Sequence, residues 1–497
     1  MYSFKENLIR YVDAGFPIIY VDSSEEANVT EEIQSLFKDK GILEWNIRGL
    51  FDYSNNSSLQ DQGLEESLEL ILVDKEISKK KIFFIKGLKF FIEDVGVIER
   101  LKILAQKINE GEIKDATIFI VAPNLKFPLE LEQYVTVLNI DFLTEEEIKA
   151  VIIEFVEEYQ LTNPNENFLN ELSVLFKGLN KLDIKNILSL ATSSDGELNR
   201  SDFSLIFEHK QQLIRKSGIL DMIPVVESIN DIGGLDNLKN WLQRKSSVFQ
   251  NITKARAFGV DVPKGVLIVG MPGCGKSLTA KATAKLFNIP LLRLDMGRLM
   301  GKYVGESEGN LRRAISLADA CSPCVLWIDE LEKAFAGIGG QGGSNEVTSR
   351  LFGHFLTWLQ EKNSLTFVIA TANNIAILPP ELLRKGRFDE IFYVNLPDKN
   401  EREKIFNIHI AKRRKQDLPS IDINKLVEKT EGFSGADIEG VIKDTVELAF
   451  TSNRSKITTN DILASISLSN SLADTLKDSI EKLSKFYKDH KFKSASV

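Results

Sequence analysis

The chain predicts an α/β fold: a parallel sheet carrying helices on both faces. Three stretches predict it. Residues 265–277 read Gly-Val-Leu-Ile-Val-Gly-Met-Pro-Gly-Cys-Gly-Lys-Ser, an apolar run closing in G-x-x-x-x-G-K-S. Cys324-Val325-Leu326-Trp327-Ile328 is a second apolar run, ending in Asp329-Glu330. Thr366-Phe-Val-Ile-Ala-Thr-Ala is a third, ending in Asn373-Asn374. Unbroken apolar runs mark strands buried on both faces. Polar residues at their carboxyl ends sit where such sheets bind ligands.

The first stretch has the strand–loop–helix context of a phosphate-binding loop, because Leu278-Thr279-Ala280-Lys281-Ala282 are good helix formers. Gly270, Gly273 and Gly275 let the backbone turn its N–H groups inward around a β-phosphate. The new helix adds its positive end. Lys276 is expected to reach the β- and γ-phosphates of ATP, and Ser277 to ligate Mg²⁺. Pro272, Cys274 and Leu278 are expected to complete the lining. At the end of the second run, Asp329 would hold the Mg²⁺ shell and Glu330 would polarise the attacking water. Asn373, at the end of the third, can hold that water against the γ-phosphate. Arg384 and Arg387 flank Gly386. Placed at the far edge of the sheet, they suit a neighbouring subunit's γ-phosphate as arginine fingers. A surface salt-bridge pair is the plainer reading of the same two residues.

With 497 residues there is room for about three domains. Hydrophobic content of 43% and charged content of 27% are ordinary for a globular protein. A net charge of −9 disfavours a broad nucleic-acid surface. The N-terminus has no signal-type apolar region, and no apolar stretch reaches the ~18 residues of a membrane span. A cytoplasmic or plastid-stromal compartment is the expectation. Three cysteines fit a reducing compartment. Cys321-Ser-Pro-Cys324 has neither a second pair nor a nearby His, so plain burial is expected rather than zinc or redox chemistry.

The first half reads as a worn copy of the second. Ile82 to Leu88 stands where Val325 to Leu331 stands later. Thr117 to Asn124 matches Thr366 to Asn373, with the same spacing from Thr to Asn. Leu143 to Ile148 matches Leu396 to Glu401, and Gly178 to Ile184 matches Gly432 to Ile438. The chemistry is not repeated. Ser23-Ser24-Glu25-Glu26 stands where a phosphate loop belongs, and Lys86-Gly87 replaces the acidic pair. Acidic side chains there repel a triphosphate. An unrelated α/β domain is the alternative. The expected organisation begins with a nucleotide-free module over 1–205, its α/β subdomain spanning 1–145 and its helical subdomain 146–205. A helix and linker follow over 206–230, the ATPase subdomain over 231–397, a helical lid over 398–470, and a helix with a frayed tail over 471–497.

Together these motifs resemble the AAA ATPases. Further matches are Asp231-Ile232-Gly233-Gly234-Leu235, similar to the family's adenine-side segment, and Ile408-His409, similar to the lid histidine near the base. Gly432-Phe433-Ser434-Gly435-Ala436-Asp437 resembles the lid motif beside the phosphates. The resemblance implies nucleotide contacts from Ile232, Gly233, His409, Gly435 and Ala436, a five-stranded parallel sheet, a helical lid, and homo-oligomeric rings, usually hexamers. No Arg occupies the lid motif, so a lid arginine is not expected in catalysis. Lys302-Tyr303-Val304 lies where AAA translocases project an aromatic into the pore to grip polypeptide. The glycine-dense loop 336–344 fits a second pore-side loop or a plain surface loop. One degenerate and one intact module together resemble the uncharacterised AAA ATPase family of red-algal plastid and cyanobacterial genomes. The expected function is ATP-driven remodelling or threading of a protein client. A regulatory ATP switch whose first module binds a partner is the alternative, and nucleic-acid remodelling stands third.

Overall fold

The computed structural model describes residues 4–497 apart from 24, 54–56, 61, 75, 76, 78–80, 124, 141, 194, 217, 300–305, 336–343, 376, 377, 385, 470, 472–479, 481, 482, 484, 485 and 488–491. Lys302, Tyr303 and Val304 therefore lie outside the described residues, as does nearly all of the loop 336–344. The chain divides into two compact units, Met1–Phe142 and Leu143–Val497.

In the first unit, seven strands among the described residues form one sheet. They are β1 (Ile18–Asp22), β2 (Ile42–Asn46), β3 (Gly49–Asp52), β4 (Ser57–Gln60), β5 (Ile82–Ile85), β6 (Thr117–Ala122) and β7 (Val135–Asn139). Their order is β4-β3-β2-β5-β6-β1-β7. Pairing is parallel from β2 to β7, while β3 and β4 extend one edge antiparallel. Side chains alternate between two cores, as the period of a strand requires. Ile18 and Tyr20 join Leu68 and Leu101 on one face, whereas Ile19 and Val21 join Leu8 and Ile33 on the other. An apolar strand with no polar face is thus explained by helices on both sides.

The second unit holds β8 (Leu220–Ile223), β9 (Gly265–Gly270), β10 (Leu291–Leu294), β11 (Cys324–Ile328), β12 (Thr366–Ala372), β13 (Glu390–Val394) and β14 (Lys493–Ser494). Their order is β14-β13-β9-β12-β11-β10-β8. The central run β13-β9-β12-β11-β10 has the same connectivity as β7-β1-β6-β5-β2 in the first unit. The sequence repeat is therefore a repeat of topology. The five-stranded expectation is exceeded at both edges. β8, within the stretch read as helix and linker, pairs antiparallel with β10. β14 pairs parallel with β13, so residues 493–494, expected to fray, are held in the sheet.

A helical bundle follows each sheet. The helices Glu145–Glu158, Glu166–Phe176 and Lys181–Ala191 share one core, and Lys399–Arg414, Gly435–Thr451 and Thr459–Leu468 share another. Their caps correspond. Thr144 with Glu147 and Asp398 with Glu401 each form a reciprocal capping box. The sequence matching sets Ile148 opposite Glu401; the caps put Glu147 there, one residue earlier. The first bundle falls in the second compact unit, not with residues 1–142. Phe207 and Ile214 of the helix Phe203–Lys216 pack into the core of the second sheet. The loop at Gly178 meets Cys321 so closely that a Cβ there would stand 2.4 Å from its Sγ. Among the described residues no helix is long and apolar enough to cross a membrane.

The helix Glu26–Leu36 is the next element after β1. Lys86, past the end of β5, pairs at 3.0 Å with Glu44, whose side chain is only 4% exposed. Burial raises the pKa of Glu26, which the neighbouring Lys86 and the Gly87 backbone N–H partly offset. An ammonium thus stands at the strand end where the second unit has Asp329. Substituting Lys86→Met strands the Glu44 carboxylate, and we expect a loss of about 1–3 kcal/mol in urea unfolding. Unchanged stability in that variant would contradict the pairing.

Candidate nucleotide site

β9 runs fully buried into Gly270. A Cβ on Gly270 would stand 2.0 Å from the Val394 carbonyl oxygen, so only glycine fits between β9 and β13. At Gly273 φ is +70°, and a Cβ there would meet Ser434 Oγ at 2.8 Å. The lid helix Gly435–Thr451 starts against this loop, with the Ala436 N–H donating to the Gly273 carbonyl at 3.0 Å. The loop is thereby held between sheet and lid.

Lys276 opens the helix Lys276–Phe287 and is buried. Its Nζ donates to the carbonyls of Gly270 at 2.8 Å and Met271 at 2.7 Å. Burial pulls its pKa down to about 8, outweighing the attraction of Glu332, Asp329 and Glu330. Ser277 Oγ donates to Asp329 Oδ1 at 3.2 Å, and Thr371 Oγ1 donates to the same oxygen. A hydroxyl and a carboxylate form a hard, incomplete oxygen set of the kind that suits Mg²⁺ with phosphate and water. A bound ion would supply neutralisation of phosphate charge there. Cys274 lies in the same loop, but burial pushes its thiol up to about 12, so it stays protonated.

Glu330 is a non-glycine residue at φ +51°. Its N–H donates to Thr371 Oγ1 at 3.1 Å, and its carboxylate pairs with exposed Lys333 at 2.5 Å. A strained backbone at a strand end is a device for aiming a side chain. The Asn373 N–H donates to buried Glu332 Oε1 at 2.9 Å. One cleft of about 430 Å³ opens here. The loop from Pro272 to Leu278, Asp329, Glu330 and Asn373 all line it, as do Ile232, Gly233, His409, Gly435 and Ala436. Burial lowers the pKa of His409, favouring the neutral imidazole. Glu439 faces the same end. Burial would raise its pKa, but hydrogen bonds from Lys443 and Arg413 draw it down to about 2.

Arg384 and Arg387 do not line this cleft. Arg384 is exposed, and Arg387 is half-buried with Nη1 lacking a hydrogen-bond partner. Sequence reasoning missed six lining residues: Thr371, Asn395, Pro397, Glu401, Ile405 and Glu439. The D-x-x-E spacing of Asp398 and Glu401 advertises a capping box, a signal for the helix start but not for the cleft. Glu439 carries no motif; only lid folding brings it in.

Two outcomes follow from this geometry. Polyphosphate binding favours the charged form of Lys276, so it raises a pKa that starts near 8. ADP affinity should be flat below about pH 7 and fall up to about tenfold per pH unit above about pH 8, with proton uptake on binding. Calorimetry in buffers of differing ionisation enthalpy reads both, and a pH-independent affinity up to about pH 10 would refute the charge role. The full-length Lys276→Ala chain is expected to lose ATP binding, because the sequence 23–26, Ser-Ser-Glu-Glu, lacks the glycines and lysine of a phosphate loop. Wild-type ATP affinity in that variant would contradict this assignment.

A family model for the ATPase family associated with various cellular activities (AAA) matches residues 266–396, and an AAA+ lid domain model matches 420–464. The SpoVK-like AAA ATPase N-terminal domain matches 4–140, and the second domain of that group matches 146–217. The chain is 38% identical, over 99% of its length and 97% of the relative's, to the uncharacterized AAA domain-containing protein ycf46 of Guillardia theta. It is 35% identical to the ycf46 protein of Pyropia yezoensis over the whole of both chains. It is also 31% identical to the proteasome-activating nucleotidase of Saccharolobus solfataricus, over 60% of this chain and 79% of that one. With a phosphate loop, an acidic strand end and a lid closing one cleft, and with relatives matching along its whole length, the chain belongs to the AAA ATPase family and is an ATP hydrolase.

Proposed function

We propose that this ATPase assembles as a homo-oligomeric ring, a hexamer by family habit, and uses Mg·ATP to remodel or thread a protein client. One observation carries the ring. Among the described residues lining the cleft there is no arginine, although the γ-phosphate end needs a second cation. Arg384 and Arg387 lie outside their own chain's cleft, just before β13, and in this reading they reach a neighbour's nucleotide. In this reading Lys276 holds the β- and γ-phosphates, Ser277 and Asp329 hold Mg²⁺, Asn373 fixes the attacking water, and Glu330 takes its proton. Glu330 must leave Lys333 to do so.

A protein client draws support from similarity to a relative named for activating a proteasome. The acidic balance makes nucleic acid a poor client. The switch reading draws on the first unit, whose strand end holds Lys86 and Glu44 in place of phosphate chemistry. That unit also exposes Ile47, Phe90 and Leu129, each at least 80% accessible, which suits a partner surface. An aqueous compartment, cytoplasmic or stromal, fits both readings.

Mixing tests the ring. Lys276→Ala and Arg387→Ala proteins should each be nearly inactive, the latter by roughly 10³-fold or more. Combined, they should regain activity, because one boundary then joins an intact phosphate loop to an intact arginine. A monomer with full activity would sink the proposal. Tyr303→Ala separates machine from switch. It should keep ATP binding and basal turnover but lose unfolding of a tagged model substrate; unchanged processing would favour the switch.

A further inference from the structure

The segment Phe492–Ser496 lies along the edge of the second sheet, next to the base side of the cleft. Its Lys493 and Ser494 extend β13, and the Ala495 N–H donates to the Tyr393 carbonyl at 2.8 Å. Ala495 is fully buried, in one core with Ile232, Leu235 and Leu238. The helix Asp236–Gln250 needs this segment. Its N-cap position is Leu235, which has no side-chain oxygen to offer. The Ala495 carbonyl instead accepts from the Leu238 N–H at 3.1 Å. Asn237 holds the segment in turn, its Nδ2 donating to the Ser496 carbonyl at 2.7 Å and the Ser494 carbonyl at 3.3 Å.

Leu235 stands at φ +57° immediately after Gly234 at φ +83°, so two successive left-handed residues shape this wall. Left-handed backbone at a leucine is strained and persists only where its surroundings hold it. What holds it is Glu401 of the lid helix, buried at the cleft. Glu401 Oε1 accepts from the Leu235 N–H at 2.9 Å and from Ser496 Oγ at 2.6 Å. Its Oε2 accepts from the Asp398 N–H at 3.1 Å. One carboxylate therefore ties the cleft wall, the lid helix and the edge segment together. The fit is tight: a Cβ on Gly234 would stand 2.2 Å from Glu401 Oε1, and one on Gly233 would stand 3.0 Å from the Ile405 nitrogen.

We propose that Glu401 is a positioning residue for the nucleotide base, and that the segment 492–496 is the strap that orients it through Ser496. When the strap is docked, the turn Ile232–Leu235 is fixed against the lid and the base wall is complete. When it is lifted, Glu401 loses one of its donors, the helix Asp236–Gln250 loses a cap, and the left-handed turn relaxes. The strap thus sets how long the nucleotide stays, without touching the phosphates. This rests on the base lying against Ile232–Leu235, as the adenine-side resemblance has it.

The test compares a fluorescent ADP analogue with inorganic tripolyphosphate, which has no base, on the full chain. Ser496→Ala removes one charge-assisted hydrogen bond and should speed ADP-analogue release roughly three- to tenfold. Asn237→Ala, which loosens the strap from its other side, should act in the same direction. Ser496→Thr, which restores the hydroxyl, should recover the wild-type rate. Tripolyphosphate affinity should stay within about twofold in all three. Exchange of the Ala495 and Leu238 amides should quicken in the two alanine variants and slow again when ADP is added. Unchanged ADP release in both alanine variants would overturn the proposal. Equal weakening for ADP and tripolyphosphate would also overturn it, because that is general loosening rather than base positioning. Failure of the nucleotide site itself reads differently: the wild-type chain would then bind neither ligand.

Discussion

The hydrogen bonds converging on Asp329 Oδ1 organise the second unit. Ser277 reaches this oxygen from the start of the helix after β9, and Thr371 reaches it from β12. The two hydroxyls come from 52 residues before the carboxylate and 42 residues after it, so three distant segments meet at one oxygen. The parallel sheet makes this possible. Because β9, β12 and β11 run the same way and lie side by side, their carboxyl ends open into one cleft. Everything else at the site is arranged around that corner: Lys276 folded onto the loop carbonyls, Glu330 turned by a left-handed backbone, and Asn373 pinned by Glu332.

The two halves of the chain show one topology carrying two electrostatic solutions. At the end of β11 stands a carboxylate with hydroxyl partners, which invites a divalent cation. At the end of β5 stands an ammonium, already neutralised by buried Glu44. Pairing with Glu44 spends the Lys86 charge inside the first unit, where the second unit keeps a carboxylate and hydroxyls for a ligand. Retaining the sheet while exchanging the charge keeps a rigid platform and frees its loops for other contacts.

The lid is coupled to the sheet through backbone and carboxylate contacts on both flanks of the cleft. Ala436 donates to the phosphate loop, and Glu401 receives Leu235. A lid connected at both ends can report on the phosphates and on the base at once.

The phosphate loop, the acidic pair and the polar strand end were legible in the sequence, because each needs particular residue types at fixed spacing along one segment. The sheet was legible because strands buried on both faces carry no polar residues. The repeat was legible in order and spacing, and the shared strand connectivity follows it. What the sequence did not disclose is whatever depends on meetings across long separations. β8 and β14 are four and two residues long, too short to show a period, and exist because β10 and β13 offer open edges. The helices 145–191 read as the companion of the first sheet but fall in the second compact unit, as does the helix Phe203–Lys216, whose Phe207 and Ile214 enter the second sheet's core. Glu401 and Glu439 look in sequence like ordinary surface helix residues. Only the folding of the lid onto the sheet turns one into the anchor of a left-handed turn and the other into a strongly acidic neighbour of His409. Local chemistry is written in adjacent residues; tertiary structure alone decides which distant ones share a cleft.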